Sequence, residues 1–458
     1  MQQFSYRSRI EAPSQVVFDW HKMPGAFERL NPPWNPARIL ERSGGIANGD
    51  RTILEIRLGP LRKKWIAEHR NYIEGQQFQD VQLSGPFASW EHTHLVEPDG
   101  ENACFLEDRI KYQMPMGALG NTFGSLYTRK QLKRIFAYRH QQTINDIKLF
   151  SSHPGAKQKI LISGSTGLLA SALIPLLQNG GHSITRLVRQ QTPQYPGSIE
   201  WDPIVRLKDE TVLEKFDALI HLAGENIAGR WTADKKRRIY ESRIQSVRLL
   251  CESMSRLNHP PKTVVLASAI GYYGNRGDEI LHESSEPGTD FLAQVCRQWE
   301  QAAEPAVKRG IRVVHLRIGV VLTPRGGALQ QMLLPFKMGA GGVIGNGRQY
   351  ISWITIDDLI SAIYHVLTKK DIHGPVNLTA PYPVDNRVFT KTLGKVLHRP
   401  TLVPLPAFAV KLIFREMGEA LLLSSTRVDP ARLLETDYEF RYPNLELALR
   451  HALGKEDN

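Results

Sequence analysis

The residues best able to do chemistry lie in one stretch, KILISGSTGLLASALIPLLQNGGHSITRLVR, from Lys159 to Arg189. Gly164, Ser165, Thr166, Gly167 and Leu168 make a glycine turn between a short apolar run and a segment with leucines at Leu169, Leu173, Leu176 and Leu177. That spacing predicts a buried strand, a tight turn and a helix, stopped by Asn179, Gly180 and Gly181 before a second strand, SITRLV. Gly164 permits the turn and Gly167 lets the backbone approach a pyrophosphate, which the N–H groups at the helix start would hold. Ala170 takes the place of a third glycine and is the next smallest residue, so helix and sheet can still pack closely. Arg189 ends the second strand, where a carboxylate would select the ribose 2′-hydroxyl of NAD. An arginine there suits the 2′-phosphate of NADP. Pro175 removes one hydrogen bond inside the helix and should bend it.

Other reactive side chains fall at the ends of later strands. ALIHLAG, 218–224, closes on Leu222, Ala223 and Gly224, small enough to leave room for a nucleotide, and Glu225 follows. TVVLAS, 263–268, ends at Ser268 just before Tyr272 and Tyr273, and IRVVHLRIGVVL carries Arg317 and Gly319. His221 reads as a satisfied strand histidine, Asp357 as a cap or ion-pair partner, and Cys296 as a small buried residue. Helices are predicted at 232–257, with Tyr240, Ile244, Val247, Cys251 and Met254 on one face, and at 290–309. GVIGNGRQYISWITIDDL, 342–359, is a glycine-rich loop leading into another. Strands alternating with helices indicate a Rossmann-like, doubly wound parallel α/β sheet, which binds ligands beyond the carboxyl ends of its strands.

The first 150 residues read differently. After a strand at Phe4 to Ile10 and a short helix to Trp20, strand signals repeat from about Ala37 to Met114, with EPDGE as a hairpin turn. A long helix, roughly Phe123 to Phe150, closes the segment. One helix gripping an antiparallel sheet is an α+β arrangement. SSHPGAKQ, 151–158, is the expected linker, 159–380 the nucleotide-binding domain and 381–458 a small, substrate-covering C-terminal domain.

A chain of 458 residues is long enough for about three domains. No apolar run approaches the roughly 18 residues of a membrane span, and MQQFSYRSRI has no signal-peptide core. Cys104, Cys251 and Cys296 are few and widely spaced, which points to a reducing, cytoplasmic setting without disulfides or a zinc knuckle, and no metal site is expected. The net charge of +12 is concentrated in RKQLKR, 129–134, and KKRR, 235–238. Both lie in helical patterns and read as solvated faces; no nucleic-acid-binding motif accompanies them. Nothing in the pattern speaks to oligomeric state.

HLAGENIAGRWT, SAIGYYG, DFLAQVCRQWE and GRQYISWITIDDL resemble the extended short-chain dehydrogenase/reductases of the NAD-dependent epimerase/dehydratase type, in an atypical bacterial subgroup called epimerase family proteins. NRVFTKTLGKVLHRP and RVDPARLLETDYEFRYP resemble the subgroup's C-terminal domain of unknown function. The first 150 residues, through their element order and PGAFERLNPPW, resemble the START and polyketide-cyclase-like superfamily. That resemblance implies an apolar ligand cavity, which Trp20, Phe27, Trp34, Phe87 and Trp90 would line unless they are simply core.

The resemblance also exposes a departure. Hydride-transferring members use a Ser or Thr, a Tyr and a Lys four residues after the Tyr. Counting back from Tyr273 and Gly274 places the hydroxyl position on Ala269, one residue past Ser268. Phe291 and Val295 stand where the Tyr and Lys should be. Tyr272 or Tyr273 would have to donate the proton instead. Two classes of function are implied: an NADP-dependent oxidoreductase or epimerase acting on a small carbonyl or sugar-like substrate, and a non-catalytic NADPH sensor or scaffold.

Overall fold

The computed structural model describes residues 1–58, 61–115, 117–191, 195–204, 207 and 209–455. The last three residues of the expected C-terminal domain lie outside this range. The chain forms two compact units, Met1–Pro154 with Gln178–Gly181, and Gly155–Leu177 with His182–Asn458.

The first unit runs β1 (Gln2–Ile10), α1 (Ser14–Lys22), α2 (Ala26–Arg29), β2 (Arg38–Arg42), β3 (Arg51–Leu58), β4 (Leu61–Ile73), β5 (Gln77–Ser84), β6 (Ser89–Pro98), β7 (Cys104–Gln113) and α3 (Gly117–Ser152). Its strands make one antiparallel sheet in the order β1-β7-β6-β5-β4-β3-β2. EPDGE joins β6 to β7, and α3 packs on β1 and β7, as the helix-on-sheet expectation required. Residues of β6 alternate between half-buried and buried, from Ser89 half-buried and Trp90 buried to Leu95 and Val96. This period of two puts Trp90, His92, His94 and Val96 on one face. Four of the five aromatic residues considered for a cavity pack against neighbours, in keeping with the core alternative. Trp20 belongs to an apolar cluster with Phe18 and Phe78. Trp90 packs with Phe87 and Trp65, and Trp34 lies edge-on to Tyr138 at 5.0 Å.

The second unit begins β8 (Lys159–Ser163), α4 (Leu168–Asn179), β9 (Ser183–Val188), β10 (Ile199–Glu200), β11 (Ala218–His221), α5 (Ala233–Arg256), β12 (Thr263–Ala269), β13 (Ile280–Leu281), α6 (Phe291–Gln301), α7 (Glu304–Lys308), β14 (Arg312–Ile318) and β15 (Val320–Leu322). It continues α8 (Gly327–Lys337), β16 (Tyr350–Ile351), β17 (Trp353–Thr355), α9 (Ile356–Thr368) and β18 (Gly374–Leu378). The main sheet, β10-β9-β8-β11-β12-β14-β18, is parallel throughout. This is the expected doubly wound fold. Its order turns back between β8 and β11, and such a switch point opens a crevice at the strand ends. Strands buried on both faces read as continuous apolar runs, and Ile160, Leu161, Ile162, Leu219, Ile220, Val264 and Val265 are all fully buried.

One expectation changes. The single helix over 290–309 is two, because Pro305 in the first turn of α7 has no N–H to continue the ladder of α6. α4 continues through Pro175 to Asn179.

The remaining elements are β19 (Val384–Asp385), α10 (Asn386–Leu397), α11 (Ala407–Gly418), β20 (Arg427–Val428), α12 (Ala431–Glu435) and α13 (Leu445–Leu453). They belong to the second unit and are tied to it by β19 pairing β16 and β20 pairing β13. Asp358 at the start of α9 accepts the backbone N–H groups of Arg441 and Tyr442 at 2.7 and 3.1 Å. Asp357 meets His451 at 2.9 Å in a buried pair, the structural role expected of it. No helix among the described residues is long and apolar enough to cross a membrane.

Candidate nucleotide and active site

Gly164 leaves β8 with φ +69°, a conformation that favours glycine. A Cβ there would lie 2.6 Å from the backbone nitrogen of Ala223 and 2.7 Å from the carbonyl carbon of Leu222. Only a glycine lets the turn lie directly against the end of β11. The turn is closed by Gly167 N–H donating to the Gly164 carbonyl at 2.9 Å. Ser165 is buried, Thr166 and Gly167 are exposed, and Leu168 is half-buried at the start of α4. The first N–H groups of a helix lack partners within it, so this exposed end is suited to an anion. Arg189 is exposed immediately after β9.

Arg186 was passed over in the sequence, where it is one residue inside SITRLV. Its Nη1 donates to the Ser165 carbonyl at 2.9 Å, and its guanidinium stacks 4.2 Å from the Tyr195 ring centroid. It thereby buttresses the glycine turn from the neighbouring strand. The signal available was a cation placed mid-strand next to the buried Leu187.

At the end of β11, His221 is fully buried between two hydroxyls, with Ser163 Oγ 2.5 Å from Nδ1 and Ser246 Oγ 3.0 Å from Nε2. Burial pushes its pKa down to about 4. Ser246 donates its own proton to the Ser242 carbonyl at 2.7 Å, so Nε2 must be the donor and Nδ1 the acceptor. His221 is the satisfied strand histidine expected. Beyond it, Leu222 and Ala223 are half-buried and Gly224 is exposed. Glu225 accepts from Lys235 at 2.6 Å, and that bond holds its carboxyl below the ordinary value.

Ser268 of β12 and Arg317 of β14 converge on Glu300 of α6, and Arg317 links Tyr273, in the turn after β12, to the same group. Ser268 Oγ donates to Glu300 Oε1 at 2.8 Å. Arg317 donates through Nε and Nη2 to the two Glu300 oxygens at 2.9 and 2.8 Å, and through Nη1 to Tyr273 Oη at 3.0 Å. Tyr273, fully buried, donates in turn to Asn377 Oδ1 at 2.7 Å. Burial raises its hydroxyl to about 12, against the opposing pull of Arg317. Tyr272 is half-buried, with the Arg317 guanidinium 3.5 Å from its ring centroid. Burial raises its hydroxyl as well. Gly319 is a packing residue in this geometry, since a Cβ would lie 2.6 Å from the Ser352 carbonyl oxygen.

The start of α6 holds no proton-transfer side chain at the two key positions. The Phe291 ring lies 5.4 Å from that of Trp231, with Lys236 Nζ 4.9 Å from its centroid, and Val295 is buried. Cys296 is buried and pushed up to about 12 by that burial, which removes it as a nucleophile.

A parallel sheet with its order reversing beside a glycine turn and a strand-end arginine defines a dinucleotide-binding α/β protein. Comparison with known proteins takes this further. The model of the NAD dependent epimerase/dehydratase family matches residues 160–378, and that of a domain of unknown function, DUF1731, matches 405–452. An epimerase family protein of Mycobacterium tuberculosis is 38% identical over 298 residues, 65% of this chain and 98% of that protein. The crystal structure of a nucleoside-diphosphate sugar epimerase from Corynebacterium glutamicum is 34% identical, with a TM-score of 0.80, covering 99% of this chain and 90% of that one. The human epimerase family protein SDR39U1, solved with NADPH, is 34% identical with a TM-score of 0.59 and covers 64% of this chain and 99% of that one. The chain belongs to the NAD-dependent epimerase/dehydratase family, among its epimerase family proteins.

Proposed function

We propose that the second unit binds NADP(H) across the 164–168 turn and acts as an oxidoreductase or epimerase on a small carbonyl or sugar-like substrate in the cytoplasm. The observation that carries this reading is the Gly164 turn seated against the end of β11, with Arg189 exposed at the end of β9. The NADPH in the human relative's structure supports it.

In this reading the amides of Ser165, Thr166, Gly167 and Leu168 hold the pyrophosphate and Arg189 the 2′-phosphate. Leu222, Ala223, Gly224 and Glu225 border the nicotinamide side, with Arg317 and Gly319 at the next strand end. Bound there, the nicotinamide supplies or accepts a hydride. Of the three hydroxyls, those of Ser268 and Tyr273 are engaged by Glu300, Arg317 and Asn377. Tyr272 is therefore the residue assigned to proton handling; burial raises its hydroxyl and keeps the proton on it, with the adjacent Arg317 charge opposing in part. The same engaged hydroxyls, together with Phe291, favour a second reading, a non-catalytic NADPH sensor or scaffold.

The first unit is assigned to the START and polyketide-cyclase-like group on its antiparallel sheet and 36-residue closing helix.

Calorimetry with NADPH and NADH tests the cofactor assignment. Tighter NADPH binding, with the preference lost or reversed in Arg189→Asp, is expected; equal affinities for the wild type would overturn it. Stereospecific hydride exchange from labelled NADPH to a carbonyl substrate, lost in Tyr272→Phe, separates enzyme from sensor.

A further inference from the structure

The interior face of the first unit's sheet carries a cluster of histidines and aspartates to which the nucleotide site gives no role. Its members are set by strand register. Asp80 of β5 lies opposite both His69 of β4 and His92 of β6, and Asp108 of β7 lies opposite His94 of β6. His92 and His94 are two residues apart on one strand, so both rings face inward. All of these histidines are buried, as is Asp108.

Each of the two central rings is held between the same two carboxylates. His92 Nε2 and His94 Nδ1 both lie 2.7 Å from Asp108 Oδ1. On the opposite side, His94 Nε2 and His92 Nδ1 lie 3.3 and 3.7 Å from one oxygen of Asp80, Oδ2. The spacing is thus tight toward Asp108 and wide toward Asp80. Charge-assisted hydrogen bonds close to about 2.7–2.9 Å, as between His92 Nε2 and Asp108, whereas His94 bonds Asp80 through Nε2 at the longer 3.3 Å. Ligands bound at about 2.0–2.1 Å around a tetrahedral zinc ion stand about 3.3 Å apart. The wide side has the spacing of a coordination edge. One ligand atom from each of Asp80, His92 and His94 falls within 4.8 Å of the others.

We propose that Asp80, His92 and His94 form a binding site for one divalent transition-metal ion of the zinc class, with Asp108 as the outer partner that orients both imidazoles. Two histidines and a carboxylate are a ligand set of that class, and a carboxylate behind a ligating histidine fixes its ring and raises its basicity. His69 Nδ1 lies 2.7 Å from Asp80 Oδ1, leaving Oδ2 for the ion. His140 Nε2, delivered by α3, secures the other Asp108 oxygen at 2.6 Å. Two carboxylates in such an interior require compensating positive charge. The Arg139 guanidinium supplies part of it, and the ion the rest.

The experiment uses the full chain, stripped with a chelator and titrated with Co²⁺ and Zn²⁺. One equivalent per chain is expected, with visible d–d absorption for Co²⁺ that Zn²⁺ abolishes. Asp80→Asn and His94→Asn should each weaken uptake by about a hundredfold or more, and Asp108→Asn by about 10–100-fold, with circular dichroism reporting that each variant is folded. X-ray absorption at the zinc edge of the wild type counts imidazole ligands without depending on any variant. Retention below about a tenth of an equivalent overturns the proposal and leaves a buried imidazolium–carboxylate network. An edge spectrum lacking two imidazoles, or unchanged uptake by folded Asp80→Asn, overturns it equally.

Discussion

Arg317 meets Glu300 through two parallel hydrogen bonds, Nε to Oε1 at 2.9 Å and Nη2 to Oε2 at 2.8 Å, with the side chains only 3% and 12% exposed. The pair joins β14 to α6 directly beneath the strand-end residues Ser268, Tyr272 and Tyr273. Arg317 is thereby held above its ordinary pKa although burial opposes the charge, and it remains a fixed cation.

Breaking that pair from one side strands a buried charge. Glu300→Gln should lower the unfolding free energy by about 3–5 kcal/mol, whereas Ser268→Ala, which removes one hydroxyl bond, should cost about 1 kcal/mol. Urea unfolding of the full chain checks both values. A Glu300→Gln variant as stable as the wild type would show that the pair does not organise this region.

The two adjacent tyrosines should respond differently to loss of their hydroxyls. Tyr273→Phe removes a group that donates to Asn377 and accepts from Arg317, and should cost about 1–3 kcal/mol. Tyr272→Phe keeps the ring under the guanidinium and should change stability by less than about 0.5 kcal/mol. Thermal melts of the two variants make the comparison.

At the glycine turn, Gly164→Ala meets both a left-handed backbone and the backbone of Leu222 and Ala223. The conformation alone costs about 1–2 kcal/mol, and the collision adds to it. If the turn shifts to relieve that collision, its amides leave the positions that hold the pyrophosphate, and NADPH affinity should fall at least about tenfold. Gly167→Ala has its nearest protein contact at 3.1 Å, the Gly164 carbonyl oxygen, so it should cost less stability while its methyl still obstructs the pyrophosphate. Calorimetry on the pair decides whether the turn is the nucleotide cradle.

His221 makes stability depend on pH. Its pKa falls from 6.5 to about 4 on burial, so the unfolded chain takes up its proton first as the pH drops. Its contribution is complete above pH ~6.5 and is lost progressively down to about pH 4, by about 3 kcal/mol in all. Other buried histidines titrate in the same direction, His182 among them. The informative quantity is therefore the difference between wild type and His221→Asn across that window. Parallel pH profiles would contradict this account of the ring.

Much of the fold was legible because its signals are local. The apolar run Ile160 to Ile162, Gly164 at a left-handed turn and the leucines of α4 each specify conformation over a few residues, and the doubly wound sheet followed from their repetition. The split of α6 from α7 was also written locally, in Pro305, but the apolar periodicity runs on across it. That Trp20, Trp34 and Trp90 would be core was legible as an alternative, but their partners were not, since a strand's pattern identifies its inward face without saying what fills the space opposite.

From the sequence alone came the glycine turn, the strand-end positions of Ser268, Tyr272 and Arg317, and the absence of a tyrosine and lysine at 291 and 295. The tertiary structure decided what those side chains touch. Glu300 engages the Ser268 hydroxyl from 32 residues away, Asn377 that of Tyr273 from 104 residues away, and Arg186 supports the turn from the next strand. Asp80, His92, His94 and Asp108 are brought together by antiparallel register, to which H-x-H in WEHTHL was the only local clue. Backbone conformation is governed by neighbours in the chain, whereas hydrogen-bond partners are selected by which strands and helices come to lie side by side.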